Sequence, residues 1–239
     1  MAPTPATAAA VTPTQLRYVG DSTQVIIVTS SSWTTSYATL KTWQKTSTGW
    51  VKPYGAMRAR IGYNGFKLDK DRRQNSGTTP AGNYRIKKTF GQSSNPGTKM
   101  PYRDVDSNDY WAYDPADAKT YNLLQPSHPS TATWRTSEAE RLAAYGSQYK
   151  YAAIISYNLP SGAVWNSTRG QWETSTPANT AKGGGIFLHV NGYRSDGTVK
   201  PTAGCVSLYV SSMLLIMKWM NPARHPRIVM GPASMITQL

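Results

Sequence analysis

The sequence predicts a mainly β fold: a sandwich-like or curled mixed sheet with two short helices packed outside it. Three observations carry this. Thirty-five of the 239 residues are proline or glycine, spread along the chain, so turns are frequent. Charged residues make up only 16%, which argues against coiled coils and long solvated helices. Short β-branched or aromatic runs recur, and only two stretches read as helix.

The elements follow in order. Gln24 to Thr29 (QVIIVT) is a β-branched strand. Tyr37 to Lys45 and Trp50 to Ile61 alternate and carry aromatic and β-branched residues, with Gly49 and Gly62 as breaks. Asn83 to Thr89 is a strand entered from a turn at Thr79-Pro80-Ala81-Gly82. Residues 92–136 are too polar and proline-rich for regular elements, yet hold Trp111 and several tyrosines. A long ordered loop lining a site is expected there. Ser137-x-x-Glu140 is a capping box and Gly146 a stop, which predicts a helix between them. Tyr151 to Asn158 and Ile186 to Val190 are strands. Ser211 to Met220 is a helix, apolar almost all round and so expected to be buried, with Pro222 beyond it. Arg227 to Met230 closes the chain as a strand. One domain is read over residues 16–239, preceded by a flexible segment over residues 1–15.

Apolar residues at 39% and aromatics at 11% exclude intrinsic disorder for the bulk of the chain. No apolar stretch reaches the ~18 residues of a membrane span. The net charge of +14 favours anionic partners, but it is dispersed: the longest basic runs are Arg72-Arg73 and Lys87-Lys88. That pattern suits broad attraction to an anionic matrix, such as a cell-wall polymer, better than nucleic acid, for which no groove-reading motif appears. Met1 to Pro13 is rich in Ala, Pro and Thr and lacks a basic n-region. It reads as the start of a mature secreted chain.

Cys205 is the only cysteine, so no internal disulfide forms. It ends a tight Thr-Ala-Gly-Cys turn, sixteen residues after His189, which sits inside an apolar strand. Cysteine catalysis needs a thiolate, and an ordinary thiol pKa of about 8.5 leaves little of it at neutral pH. A neighbouring imidazole removes that obstacle by taking the proton. Ala203 and Gly204 let a carbonyl approach backbone N–H groups able to hold an oxyanion. By residue type alone, Cys205 is equally a small buried hydrophobe and His189 a satisfied core residue. Cys205, His189, His225 and His128 lack the short spacings of a zinc site, and no metal or cofactor is expected.

The context H-x12-T-A-G-C-V-S resembles the signature of the L,D-transpeptidase (YkuD-like) family: a His, a spacer, then Ser/Thr-His-Gly-Cys, an apolar residue and Asn. Gly77-Thr78-Thr79-Pro80-Ala81-Gly82-Asn83-Tyr84 is similar to the family's Thr-Pro-x-Gly-x-aromatic segment. Met100-Pro101-Tyr102-Arg103, Tyr110-Trp111, Asp114-Pro115 and Tyr121-Asn122 resemble an actinobacterial-type branch. The resemblance spans roughly Gly55 to Met230. It implies Cys205 as nucleophile and His189 as general base, oriented by the Val190 carbonyl. It further implies Gly204 and Cys205 N–H groups as oxyanion donors and Thr202 as support of the turn. The family's second His is Ala203 here, the Asn after the Cys is Ser207, and the spacer is shorter than usual.

The reaction so implied is cofactor-free acyl transfer on peptidoglycan stem peptides through a Cys thioester, releasing D-Ala and forming 3→3 cross-links. Arg103 is a candidate for a substrate carboxylate. Tyr102, Tyr110, Trp111 and Tyr113 are candidates for covering the site, and Ser207 for a substrate contact. Three alternatives stay open. Water as acceptor makes an L,D-carboxypeptidase or cysteine amidase. The departures at Ala203 and Ser207 suit a non-catalytic wall-binding protein. A sortase-like enzyme with Arg224 or Arg227 fits poorly, because His189 and Cys205 are too close in sequence.

Overall fold

The computed structural model describes residues 11–239. Eight strands form a closed ring: β1 (Gln24–Ser30), β2 (Tyr37–Thr46), β3 (Met57–Arg60), β4 (Thr79–Gly91), β5 (Ala152–Ile155), β6 (Phe187–Val190), β7 (Val206–Leu208) and β8 (Arg227–Pro232). The order around the ring is β1-β8-β4-β5-β6-β7-β3-β2 and back to β1. The pairs β1/β8 and β6/β7 are parallel, and the other six are antiparallel. The mainly β, mixed-sheet expectation holds. The sheet, however, closes into a barrel instead of stacking as a sandwich or curling open, which leaves no unpaired edge in the ring.

Alternation along each strand builds the layers. Ile26, Val28, Leu40, Leu188, Val206 and Ile228 belong to one buried cluster inside the barrel. The single α-helix among the described residues, α1 (Val210–Trp219), adds Met213, Ile216 and Met217 to that cluster. Its other side is open: Leu215 is 43% exposed, so the helix is amphipathic in use although apolar in composition. Outward residues of β1 and β8 form a second cluster, with Val25, Ile27 and Val229 covered by Leu16, Trp43 and Ile236. Outward residues of β4, β5 and β6 form a third, with Phe90, Ile154 and Phe187 covered by Trp111, Leu142 and Tyr149.

Several local expectations are corrected. Thr79 to Gly82 is strand, not turn. Pro80 is tolerated because this part of β4 pairs on one side only, with Phe66–Leu68, before β8 joins at Gly82. Trp50 to Ile61 is broken into Gly49–Val51 and β3 by the segment around Pro53. Residues 92–136 are not wholly irregular: they hold Tyr102–Asp104, Tyr110–Ala112 and Leu123–Gln125 as short strands. The helix expected after Ser137 is displaced. Thr136–Glu138 is one 3-10 turn without a side-chain cap, Ala139–Arg141 is a strand, and the second helical segment is 3-10, Leu142–Tyr149. Gly146, at φ 53°, interrupts that segment instead of ending it. Glu140 caps nothing because strand pairing with Trp111 takes its backbone. Of the N-terminal segment called flexible, residues 1–10 lie outside the described residues. Pro13–Gln15 is a 3-10 turn, and Val11 packs against the second cluster.

Candidate active site

β6 faces Leu188 and Val190 into the barrel, which leaves Phe187 and His189 outside. β7 runs parallel beside it, with Leu188 opposite Val206 and His189 opposite Ser207. Cys205, one residue before β7, therefore falls alongside Phe187. The Phe187 N–H donates to Cys205 Sγ at 3.3 Å, and Sγ donates to the Gly185 carbonyl at 3.3 Å. His189 Nδ1 lies 2.7 Å from the Val190 carbonyl, and a proton there makes Nε2 the basic nitrogen. The thiol and the imidazole flank Phe187 on one face but share no hydrogen bond.

The turn before Cys205 is built around Thr202 and Gly204. Thr202 Oγ1 donates to the Cys205 carbonyl at 2.6 Å and accepts from the Gly204 N–H at 3.2 Å. Gly204 has φ 151°, and a Cβ there would stand 3.0 Å from both Thr78 O and Arg72 Nη2, so only glycine fits without a shift. The Gly204 N–H is thus occupied, and the Cys205 N–H has no acceptor among the described residues. Ala203, where a second His would stand in the resembled motif, is exposed.

The charges around the sulfur oppose one another. Burial pushes the Cys205 thiol up to about 12, and the negative charge of Glu140 adds to the rise; the Phe187 N–H and the Arg72 guanidinium act against it. Burial lowers His189 to about 4, against the pull of the Val190 and Gln148 backbone. The resting pair is therefore a thiol and a neutral imidazole, not a preformed ion pair. Arg72 is buried, donating from Nε to the Thr78 carbonyl at 2.9 Å and from Nη1 to the Lys182 carbonyl at 2.6 Å. Tyr149 stands edge-on to His189 at 5.4 Å and to Phe187 at 5.7 Å. Its hydroxyl donates to Glu140 Oε2 at 2.6 Å.

The remaining sequence candidates are placed as follows. Trp111 is buried, donates from Nε1 to Asn122 Oδ1 at 2.8 Å and packs on Phe187 at 4.9 Å; it is a support, not a cover. Tyr102 donates to the Ser93 carbonyl at 2.6 Å. Arg103 directs Nε and Nη2 onto Asp109 Oδ1 at 2.9 and 2.5 Å, so an internal carboxylate already occupies that fork. Both line a cleft of about 670 Å³ with Phe90, Trp111, Leu124 and Trp172; Cys205 does not line it. Tyr110 packs on Trp134 at 5.4 Å, and Tyr113 is partly buried against the third cluster. Ser207 corrects its expectation: it is 1% exposed and donates to Asn191 Oδ1 at 2.8 Å, out of a substrate's reach. No group of three His, Cys, Asp or Glu side chains suited to a metal occurs among the described residues.

Sequence reasoning missed Arg72, Glu140 and Tyr149 as neighbours of the sulfur. Arg72 looked like half of a solvated pair and Glu140 like a helix cap. No local signal marks either, because strand pairing across distant segments brings them in. The Gly183-Gly184-Gly185 run did carry a signal. A Cβ at Gly184 would come within 2.4 Å of Asn122 Oδ1, the oxygen that accepts from the Gly185 N–H at 2.9 Å.

The family model for the L,D-transpeptidase catalytic domain (YkuD) matches residues 34–229. The chain belongs to this family. The match begins well before Gly55, where the motif resemblance started, and so takes in β2 as well as β3 to β7. No curated protein and no solved structure gives a match. No helix among the described residues is long and apolar enough to cross a membrane.

Proposed function

We propose that this L,D-transpeptidase-family chain is a secreted cysteine acyltransferase acting on peptidoglycan stem peptides. Cys205 attacks the carbonyl between the third stem residue and a terminal D-Ala. His189 Nε2 takes the thiol proton as the C–S bond forms and returns it to the leaving amine as the C–N bond breaks. The Cys205 N–H faces the developing oxyanion, and the Thr202 hydroxyl and Gly204 hold the turn that aims it. D-Ala leaves, a thioester remains, and the side-chain amine of a second stem resolves it into a 3→3 cross-link.

The observation that carries this reading is the placement of the lone cysteine beside an outward His whose Nδ1 meets a backbone carbonyl. Both stand in a chain of this family. Because thiol and imidazole rest neutral, proton transfer accompanies attack instead of preceding it. The decisive experiment is mass spectrometry of disaccharide-tetrapeptide after incubation with the protein and with Cys205→Ala. A cross-linked dimer lacking one D-Ala, absent from the variant, supports the transpeptidase. Tripeptide alone supports a carboxypeptidase, and no change in either sample supports wall binding without chemistry.

A further inference from the structure

Glu140 sits in the aromatic layer that packs on Phe187 beside the nucleophile, and the acyl-enzyme step proposed above has no use for it. It lies opposite Trp111 in the pairing of Ala139–Arg141 with Tyr110–Ala112. Trp111 packs on Phe187, whose N–H holds Sγ. From the other side Tyr149, edge-on to His189, donates its hydroxyl to Glu140 Oε2. Among the described residues no cation pairs with this carboxyl in a molecule with 26 basic side chains, and Oε1 accepts no hydrogen bond. The residue is partly exposed.

A carboxylate here opposes thiolate formation and hinders the first half-reaction. That penalty disappears once the sulfur is a neutral thioester. What then enters the site is a primary amine, which is an ammonium ion at neutral pH and must lose a proton before it can attack. Water carries no such charge.

We propose that Glu140 is the acceptor-amine site: its carboxylate binds the ammonium group of the incoming primary amine at the acyl-enzyme and takes one proton from it. The freed amine adds to the thioester carbonyl, and His189 takes the second proton from nitrogen. The C–S bond breaks, the thiolate recovers its proton from His189, and Glu140 releases its own to water. The protons balance without a co-reactant. Burial raises the Glu140 carboxyl to about 7, which makes it a stronger base than an exposed carboxylate. This inference rests on the acyl-enzyme of the proposed function but not on its peptidoglycan substrate.

The test loads Cys205 with acetyl from p-nitrophenyl acetate at pH 8, then chases with Nα-acetyl-lysine methylamide, a cationic amine, or hydroxylamine, a neutral one. Intact-protein mass follows loss of the acetyl group. The rate ratio of cationic to neutral amine falls about tenfold in Glu140→Gln, the size of a lost charge-assisted hydrogen bond. Glu140→Asp, which keeps the charge, retains more of the preference, and Tyr149→Phe lowers it in the same direction if Glu140→Gln does not fold. A ratio within twofold of the parent in these variants overturns the proposal. Failure of both parent and variant to take up acetyl removes the acyl-enzyme on which the proposal rests and overturns it together with that reading. If the ratio falls but the tetrapeptide is untouched by the parent protein, Glu140 keeps its role and only the substrate reading fails.

Discussion

Two outer faces of the barrel are built by the same alternation and filled in opposite ways. On β1 and β8, Val25, Ile27 and Val229 meet Leu16, Trp43 and Ile236, with buried Arg227 at the start of β8 bonded to Ser22 and Asn83. On β5 and β6, Phe187 and Ile154 meet Trp111 and Tyr149, but Cys205, His189 and Glu140 are set among them. Apart from Arg227, the first face follows the rule that buried surface should be apolar. The second breaks it three times within one aromatic layer, and each break is a group with a displaced proton affinity. Such breaks destabilise the fold and persist where chemistry uses them.

The largest effects test that division directly. Cys205→Ala should abolish acyl transfer, a loss of at least about 10³-fold, while leaving the thermal transition near its parent value, because a half-buried sulfur is a small packing loss. Gly204→Ala should lower activity by about 10²-fold with a moderate loss of stability, since its Cβ presses on Thr78 O and Arg72 Nη2. Ile27→Ala on the apolar face should do the reverse. It should remove about 2–5 kcal/mol of stability, read by denaturant titration, with activity per folded molecule retained. Loss of activity in folded Ile27→Ala would erase the distinction between the faces.

A smaller effect sharpens it. The thiol lies far above its ordinary range and His189 far below, so Cys205 should react with iodoacetamide about tenfold faster per pH unit up to at least pH 10. The rise should flatten only near pH 7, where Glu140 ionises and opposes the thiolate, and that inflection should vanish in Glu140→Gln; His189 should add no step near pH 6.5. A plateau at neutral pH would mean a preformed thiolate–imidazolium pair and contradict the neutral resting state.

The apolar face was the legible one. The β-branched run Gln24 to Thr29 announces a strand, and β1 is that strand within one residue. Arg227 to Met230 likewise marks most of β8. Cys205 and His189 were singled out through their motif, and the parallel β6/β7 register sets Cys205 alongside Phe187, two residues before His189. Barrel closure was not legible, because the β1/β2 and β1/β8 pairings that shut the ring depend on register and not on residue type. Glu140 misled for a local reason. Ser-x-x-Glu is a cap when a helix follows, and here the backbone pairs with Trp111 instead. Arg103 was chosen for its fork geometry, which Asp109 also fits.

The smallest expected effect concerns what Glu140 does to the fold itself. Its carboxyl rises from an ordinary 4.5 to about 7 in the folded chain. Between those values the native state holds a proton that the unfolded state has lost, so this group's contribution is fully present below about 4.5. It falls as pH rises toward 7 and stays low beyond. Glu140→Gln removes that dependence, because an amide presents the hydrogen-bonding face of a neutral acid at every pH. The variant and parent should melt together at pH 4.5, and the variant should melt higher at pH 8. The residue is half-buried, so solvent limits the gap to about 2 kcal/mol. Equal melting temperatures at both pH values would mean that the carboxyl is hydrated in the folded chain. Its pull on Cys205 would then be too weak to explain either the raised thiol or a preference for cationic acceptors.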